Sequence, residues 1–296
     1  PPVTLTYLPG TTNYMLDAGT VANVGLRNLV LDAGNRSNFV AHPTLGTRHA
    51  LKILGYGDFS KVEGVSIRGF NGRAVHVVGS EGLTGCRSNN LTLLDVRVDN
   101  CHTGFESDAT QAEYVFFTNL RAHHCYNGVL TMCGNQTYTA CIFNDNYYGW
   151  RHENGANDAH GNVTSSLLNH NTYPLYANSA SMGYTFTGCN MWEGTLYLNS
   201  SSGVLIRNCV IDVTEIRLRG GYYNAIQDNF IGGLYPNTIT HDSAAAPDQT
   251  VIRDNVNMTS GAALSTDALH TGTNLPVRTW MNFVTVLPMA LHEVSE

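Results

Sequence analysis

Four short stretches decide the fold: Phe186-Thr-Gly-Cys189, Ile206-Arg-Asn-Cys209, Ile226-Gln-Asp-Asn229 and Ile252-Arg-Asp-Asn255. Each reads apolar-x-x-[Asn/Cys/small], and weaker copies precede them at Ile67 to Phe70, Leu93 to Val96, Phe116 to Asn119, Tyr138 to Cys141 and Val163 to Ser166. The fourth positions form a ladder, Phe70, Val96, Asn119, Cys141, Ser166, Cys189, Cys209, Asn229 and Asn255, with steps of 20 to 26 residues. An earlier copy, Leu26-Arg-Asn-Leu29, leaves room before Phe70 for one irregular or two short coils. A period near 22 without a helical 3.6-residue pattern between copies means a stacked β unit. A second strand follows most copies after a Gly or Pro, as at Gly104-Phe105, Gly128-Val129, Gly149-Trp150 and Pro174-Leu175, and also at Thr195-Leu196. One coil cannot bury its own apolar face, but stacked coils share a continuous core. Asn229 over Asn255 also lets amides satisfy one another along the stack. Leucine-rich repeats share the period but need a Leu-dense consensus; here the inward positions are Ile, Val, Phe and Tyr. The spacing therefore predicts an all-β fold, a right-handed single-stranded parallel β-helix of about nine or ten coils.

Composition agrees. Among 296 residues, 13% are charged, with 16 Lys+Arg against 23 Asp+Glu and a net charge of −7. Gly (29) and Asn (30) occupy the space that charge normally fills, which suits a turn-dense chain. No Lys/Arg cluster offers a nucleic-acid footprint. No apolar run approaches the ~18 residues of a membrane span. Seven cysteines at irregular spacing, Cys86, Cys101, Cys125, Cys133, Cys141, Cys189 and Cys209, form neither a disulfide framework nor a zinc motif. They read as free buried thiols in a protein that folds in a reducing cytoplasm.

Residues 1–20 read as a lead-in or N-terminal cap, 21–258 as the β-helix, and 259–296 as a C-terminal cap or oligomerisation segment, its last 21 residues markedly apolar. The start at Pro1 reads as a piece of a longer protein whose missing part is N-terminal.

The ladder, its Asn/Cys positions and the low charge resemble the pectate-lyase-like (pectin-lyase-like) β-helix superfamily over residues 20 to 260. Within that group the free cysteines and the short C-terminal extension are most similar to bacteriophage tailspikes. That resemblance implies a homotrimer in the virion tail, acting at the host cell surface. Its partner would be a bacterial surface polysaccharide, capsule or O-antigen, that it binds and often cleaves. Neither nucleic acid nor membrane insertion is expected.

Three to four residues after the ladder position stand Asp99, His123, Asp145, His170, Glu193 and Asp212. Coils stack ~4.8 Å apart, so Asp145 and Glu193, two coils apart, lie roughly 10 Å from each other. Inverting glycoside hydrolysis needs an acid and a base ~6.5–9.5 Å apart. Asp145 and Glu193 are the candidate catalytic pair of a glycoside hydrolase, an endo-acting depolymerase, with Asp99, His123, His170 and Asp212 as substrate-binding groups. Tyr147, Tyr148, Trp150, Tyr173, Tyr176 and Trp192 fall in the same three coils, and aromatic faces stack on sugar rings. Trp192, Tyr148 and Tyr173 are the expected stackers; Trp150 and Phe105, in second-strand positions, are expected in the core. Arg151, His152 and Glu153, beside Asp158, read as a solvated turn. Asp228 and Asp254, with Arg207 and Arg253, fit an outward corner better than a cation site. No metal or cofactor is expected, and no GxSxG, HExxH, P-loop or GxGxxG motif occurs. The alternatives are a non-enzymatic receptor-binding fibre or virion decoration protein, and a secreted polysaccharide lyase.

Overall fold

The computed structural model describes residues 3–7, 13–20, 23–35, 37–54, 60–79, 91–108, 112–153, 160–180, 183–232, 239–241, 249–258 and 263–264. Among them there is no helix, and every strand pairing but one is parallel. Six-, ten- and thirteen-stranded sheets wrap one core as the parallel β-solenoid that the repeat predicts. The one antiparallel pair joins Ala263–Leu264 to Asn255 and Val256. The first strands of two sheets, Val3–Thr6 and Asn13–Ala18, come from the lead-in and pair with Leu29–Asp32 and Arg48–Leu54. Residues 265–296, most of the expected cap, lie outside the described residues, as do Cys86 and Asp158.

One coil shows the construction. Val115–Thr118 belongs to the ten-stranded sheet, Arg121–His123 to the six-stranded sheet and Asn127–Thr131 to the thirteen-stranded sheet. The first corner is a single left-handed residue, and ten coils repeat it: Asn28, Gly64, Asp95, Asn119, Ala140, Ser165, Gly188, Asn208, Asp228 and Asp254 all have φ between 50° and 63°. Asn, Asp and Gly dominate that series because they tolerate φ > 0 at least cost. The next residue turns inward, so a ladder runs from the half-buried Leu29 through the buried Val65, Val96, Leu120, Cys141, Ser166, Cys189, Cys209, Asn229 and Asn255.

Two members of the expected ladder are thereby corrected. Asn119 is the left-handed corner itself and Leu120 the buried rung. Phe70 sits at the next corner, and Val65 is the rung. Asp228 and Asp254 are corner residues, as the sequence suggested.

A sharp corner strands backbone N–H groups inside the stack, and buried donors must be paired. The ladder side chains do this. Asn229 Oδ1 accepts the Cys209 N–H at 2.9 Å, and Ser166 Oγ accepts the Cys141 N–H at 3.1 Å. The second corner repeats the device. Its left-handed residues are Gly69, Asn100, His124, Asp145, His170, Glu193 and Val213. Beneath them Asn146 Oδ1 accepts from Cys125 N and Asn171 Oδ1 from Asn146 N, each at 2.9 Å. The third connection has no fixed length: it runs from Val78 to Leu91 in one coil and from Thr131 to Gln136 in another.

The lumen is filled by Phe105, Val129, Trp150, Leu175 and Leu196, rungs of one column, packed against Phe117, Tyr138, Phe143, Tyr184 and Phe186. Phe117 and Tyr138 stack with centroids 4.4 Å apart, and Tyr184 meets Trp150 edge-on at 4.7 Å. Fully burying side chains of this size stabilises by ~1.5–3 kcal/mol each. Trp150 and Phe105 are core, as expected.

Candidate functional site

The six acid and histidine positions occupy two neighbouring rows at the second corner. Asp99 and His123 end strands of the six-stranded sheet, and Trp192 and Asp212 pair within the long strands Asn190–Asn199 and Val210–Arg219 of the thirteen-stranded sheet. Asp145, His170 and Glu193 are the left-handed corner residues that follow. Asp and His suit that conformation, which accounts for part of the pattern; Glu193 does not, and Val213, β-branched, suits it least. The rows pair across coils. His124 Nδ1 lies 2.8 Å from Asp99 Oδ1, His123 Nδ1 lies 3.7 Å from Asp145 Oδ2, and His170 Nδ1 lies 2.9 Å from Glu193 Oε2. Trp192, exposed beside them, meets the His170 ring edge-on at 4.5 Å. Asp145 and Glu193 thus each lean on a histidine of the preceding coil, with their side chains about half exposed (48% and 50%).

Across the second corner lies a continuous aromatic face on the thirteen-stranded sheet. Tyr126 stacks on Tyr147 at 5.0 Å, and Tyr147 meets Tyr148 edge-on at 4.8 Å. Tyr148 stacks on Tyr173 at 5.2 Å and meets Tyr176 at 5.2 Å; Tyr176 meets Tyr197 at 5.5 Å. All six are partly exposed. The Arg151 guanidinium covers the Tyr148 ring at 4.5 Å, a cation–π arrangement. Arg151 is itself paired with Glu153, which accepts from Asn178 Nδ2 at 2.7 Å, and Arg217 pairs with Glu215 at 3.0 Å. Burial raises the Tyr148 and Tyr176 hydroxyls above the usual phenol range, so they stay neutral donors.

The expectation of a solvated turn at 151–153 is therefore corrected. Arg151 and Glu153 belong to this face, and His152 points into the lumen, fully buried. The sequence brought Tyr147, Tyr148, Tyr173 and Tyr176 together but missed Tyr126 and Tyr197, which lie one coil to either side; Tyr126 is in register with Tyr147 and Tyr197 with Tyr176, and that register was the available signal.

A second polar group occupies the N-terminal coils of the same sheet face and was not singled out in the sequence. Tyr14 hydrogen-bonds His76 Nδ1 and stacks on His49 at 4.7 Å. Arg73 Nε lies 2.7 Å from Glu106 Oε1, and His76 Nε2 lies 3.6 Å from Asp108 Oδ2 and 3.9 Å from Glu106 Oε1. Burial holds His49 down at about 4, with Arg73 adding to it. Among the described residues, no group of three or more His, Cys, Asp and Glu is arranged to hold a metal ion.

No family model, no curated protein and no solved structure matches this chain.

Proposed function

We propose that this protein binds an extended bacterial surface polysaccharide along the tyrosine face, as a tailspike-type receptor-binding protein that attaches to capsule or O-antigen at the host cell surface. The observation that carries the reading is the unbroken run Tyr126, Tyr147, Tyr148, Tyr173, Tyr176 and Tyr197 across four coils, rimmed by Asn127, Arg151, Asn178 and Arg217. Flat, partly exposed rings with polar edges match the apolar faces and hydroxyl rims of pyranoses. The coil repeat of ~4.8 Å offers a fresh set of contacts at each step along a polymer. A homotrimer would multiply weak single-chain contacts into useful avidity.

Retention of the full chain on immobilised capsular and lipopolysaccharide preparations tests the reading. Binding to at least one polymer is the expected result, and retention on none of a broad panel removes it. Sedimentation of the same sample reports whether it is a trimer.

A second reading adds cleavage by Asp145 and Glu193. What favours it is their shared corner row, each with a histidine partner, next to the exposed Trp192. New reducing ends released by the wild type and lost in both Asp145→Asn and Glu193→Gln are its expected result.

A further inference from the structure

We propose that the ten-stranded sheet carries a second, separate ligand site, an open cavity over its outward face that takes a neutral pyranose, either a free sugar or a residue of a glycan. It shares no side chain with the tyrosine face and does not depend on the polymer reading.

The strands that carry the central tyrosines lead around the third connection into this sheet. Tyr148–His152 is followed by Gly161–Thr164, and Tyr173–Asn178 by Tyr184–Thr187. Beyond that rim lies a cavity of about 410 Å³. Small-molecule pockets run from ~300 to ~1,000 Å³, so its size suits a ligand of one or two rings. Strand alternation builds its floor. In Val115–Thr118 the side chains of Val115 and Phe117 are buried, so Phe116 stands outward, 42% exposed. Register places Thr137, Asn162 and Thr185 in the same outward column, one to each following coil. From Phe116 to Thr185 is three coil steps, roughly 14 Å. Tyr114, Asn135 and His160, each just before its strand, form the neighbouring row of the lining.

That row is held in place from behind. Asn135 Nδ2 donates to Glu113 Oε2 at 2.9 Å, and His160 Nε2 lies 2.7 Å from Asn135 Oδ1. A carboxylate only accepts, so the amide has one orientation and the imidazole Nε2–H is the donor to it. The floor is different. Among the described residues, the hydroxyls of Tyr114, Thr137 and Thr185 and the amide of Asn162 make no hydrogen bond. In the next outward column the same residue type is engaged: Thr139 and Thr164 bond one another at 3.3 Å, and Arg207 Nε donates to Thr187 Oγ1 at 3.4 Å.

Those groups define the ligand. An amide gives and takes hydrogen bonds at once, and hydroxyls do both, which matches the adjacent hydroxyls of a sugar ring. The exposed Phe116 ring offers an apolar face to the C–H side of the same ring. None of the described lining residues is Asp, Glu, Lys or Arg. A phosphate or carboxylate would find no cationic partner there and an ammonium no anionic one, so the ligand is uncharged.

Saturation-transfer NMR on the full chain tests the proposal. The probes are the methyl glycosides of glucose, galactose, mannose, rhamnose and N-acetylglucosamine, with the five free sugars alongside. The closed anomeric position of a glycoside stands for a glycan residue, so the two sets separate that source from a soluble sugar. Binding of at least one probe in the millimolar range is expected. Phe116→Ala should weaken it about tenfold through the lost ring. Thr185→Val keeps the branched shape and removes only the hydroxyl; it and Asn162→Ala should each weaken binding about threefold or more. All three residues lie outside the core, so thermal unfolding is expected to stay as in the wild type. A panel without any signal overturns the proposal. So does a signal that all three variants keep, or one that only Tyr148→Ala abolishes, which puts the sugar on the tyrosine face. Polymer retention stands or falls separately, in the column assay above.

Discussion

Asn255 Oδ1 accepts two hydrogen bonds from Asn229, from its backbone N–H and from its Nδ2, both at 3.0 Å, while Asn255 Nδ2 reaches back to the Ile226 carbonyl. One buried amide thus serves both a corner and a strand of the coil below. Asn255→Ala takes the partner from the Asn229 N–H and from the Ile226 carbonyl, while Asn229 Nδ2 keeps the Ile206 carbonyl. At ~1–3 kcal/mol for each buried group left unpaired, the expected loss is about 3 kcal/mol, read as a lower urea midpoint. A loss below half a kcal/mol would show that water replaces the amide.

Val213 has φ 49° at a corner where its neighbours are His170 and Glu193. A left-handed conformation costs an L-residue ~1–2 kcal/mol, more when β-branched. Val213→Gly is expected to raise stability by about 1 kcal/mol, seen as a higher melting temperature. A lower one would mean that the valine side chain contributes more packing than its backbone loses.

His152 is fully buried between Trp150 and Tyr184, with neither ring nitrogen hydrogen-bonded, and desolvation lowers it to about 4. The sign follows directly. Between about 6.5 and about 4 the unfolded chain binds a proton that the folded chain does not, so stability is lost as pH falls through that window. At ~1.4 kcal/mol per unit the contribution is about 3 kcal/mol. Equilibrium unfolding at pH 7 and pH 4.5 should show a drop that is smaller in His152→Leu, while the share of His49, held down in the same way, remains.

Six buried thiols make a chemical prediction. Burial pushes Cys101 and Cys141 up to about 12 and raises Cys125 and Cys133 as well. The thiolate is the reactive form. An aromatic disulfide reagent should therefore modify none of Cys101, Cys125, Cys133, Cys141, Cys189 and Cys209 in the native protein, and all of them in denaturant. Native modification of any of the six would place it outside the core.

On the tyrosine face, Tyr148→Ala removes the ring that touches Tyr126, Tyr147, Tyr173 and Tyr176 and supports Arg151. Polymer affinity should fall about tenfold, ~1.4 kcal/mol, whereas Tyr148→Phe keeps most of it. Unchanged retention in the alanine variant would move binding to another face.

From Cys141 onward the fold was legible because every rung is a small or amide residue, and such residues are rarely stacked for any other reason. Phe70 and Asn119 were misread for two physical causes. An Asn at a left-handed corner looks like an Asn at a buried rung one position later. The early coils also carry insertions that break the period. The same irregularity hid the Tyr14 group, whose members are joined by register rather than by spacing. Asp145, His170 and Glu193 were legible as a row. The preference of left-handed corners for Asp and His explains much of that row without chemistry, while Tyr147, Tyr148, Tyr173 and Tyr176 have no such backbone reason to cluster.

Two corners of one residue each and a third of free length divide the labour of inheritance. A change at the first two shifts register for every coil beyond it. An insertion between Val78 and Leu91, or between His152 and Gly161, lengthens one rim and leaves the stack as it was. Such a chain can renew what borders its tyrosine face in each generation while its scaffold stays the same.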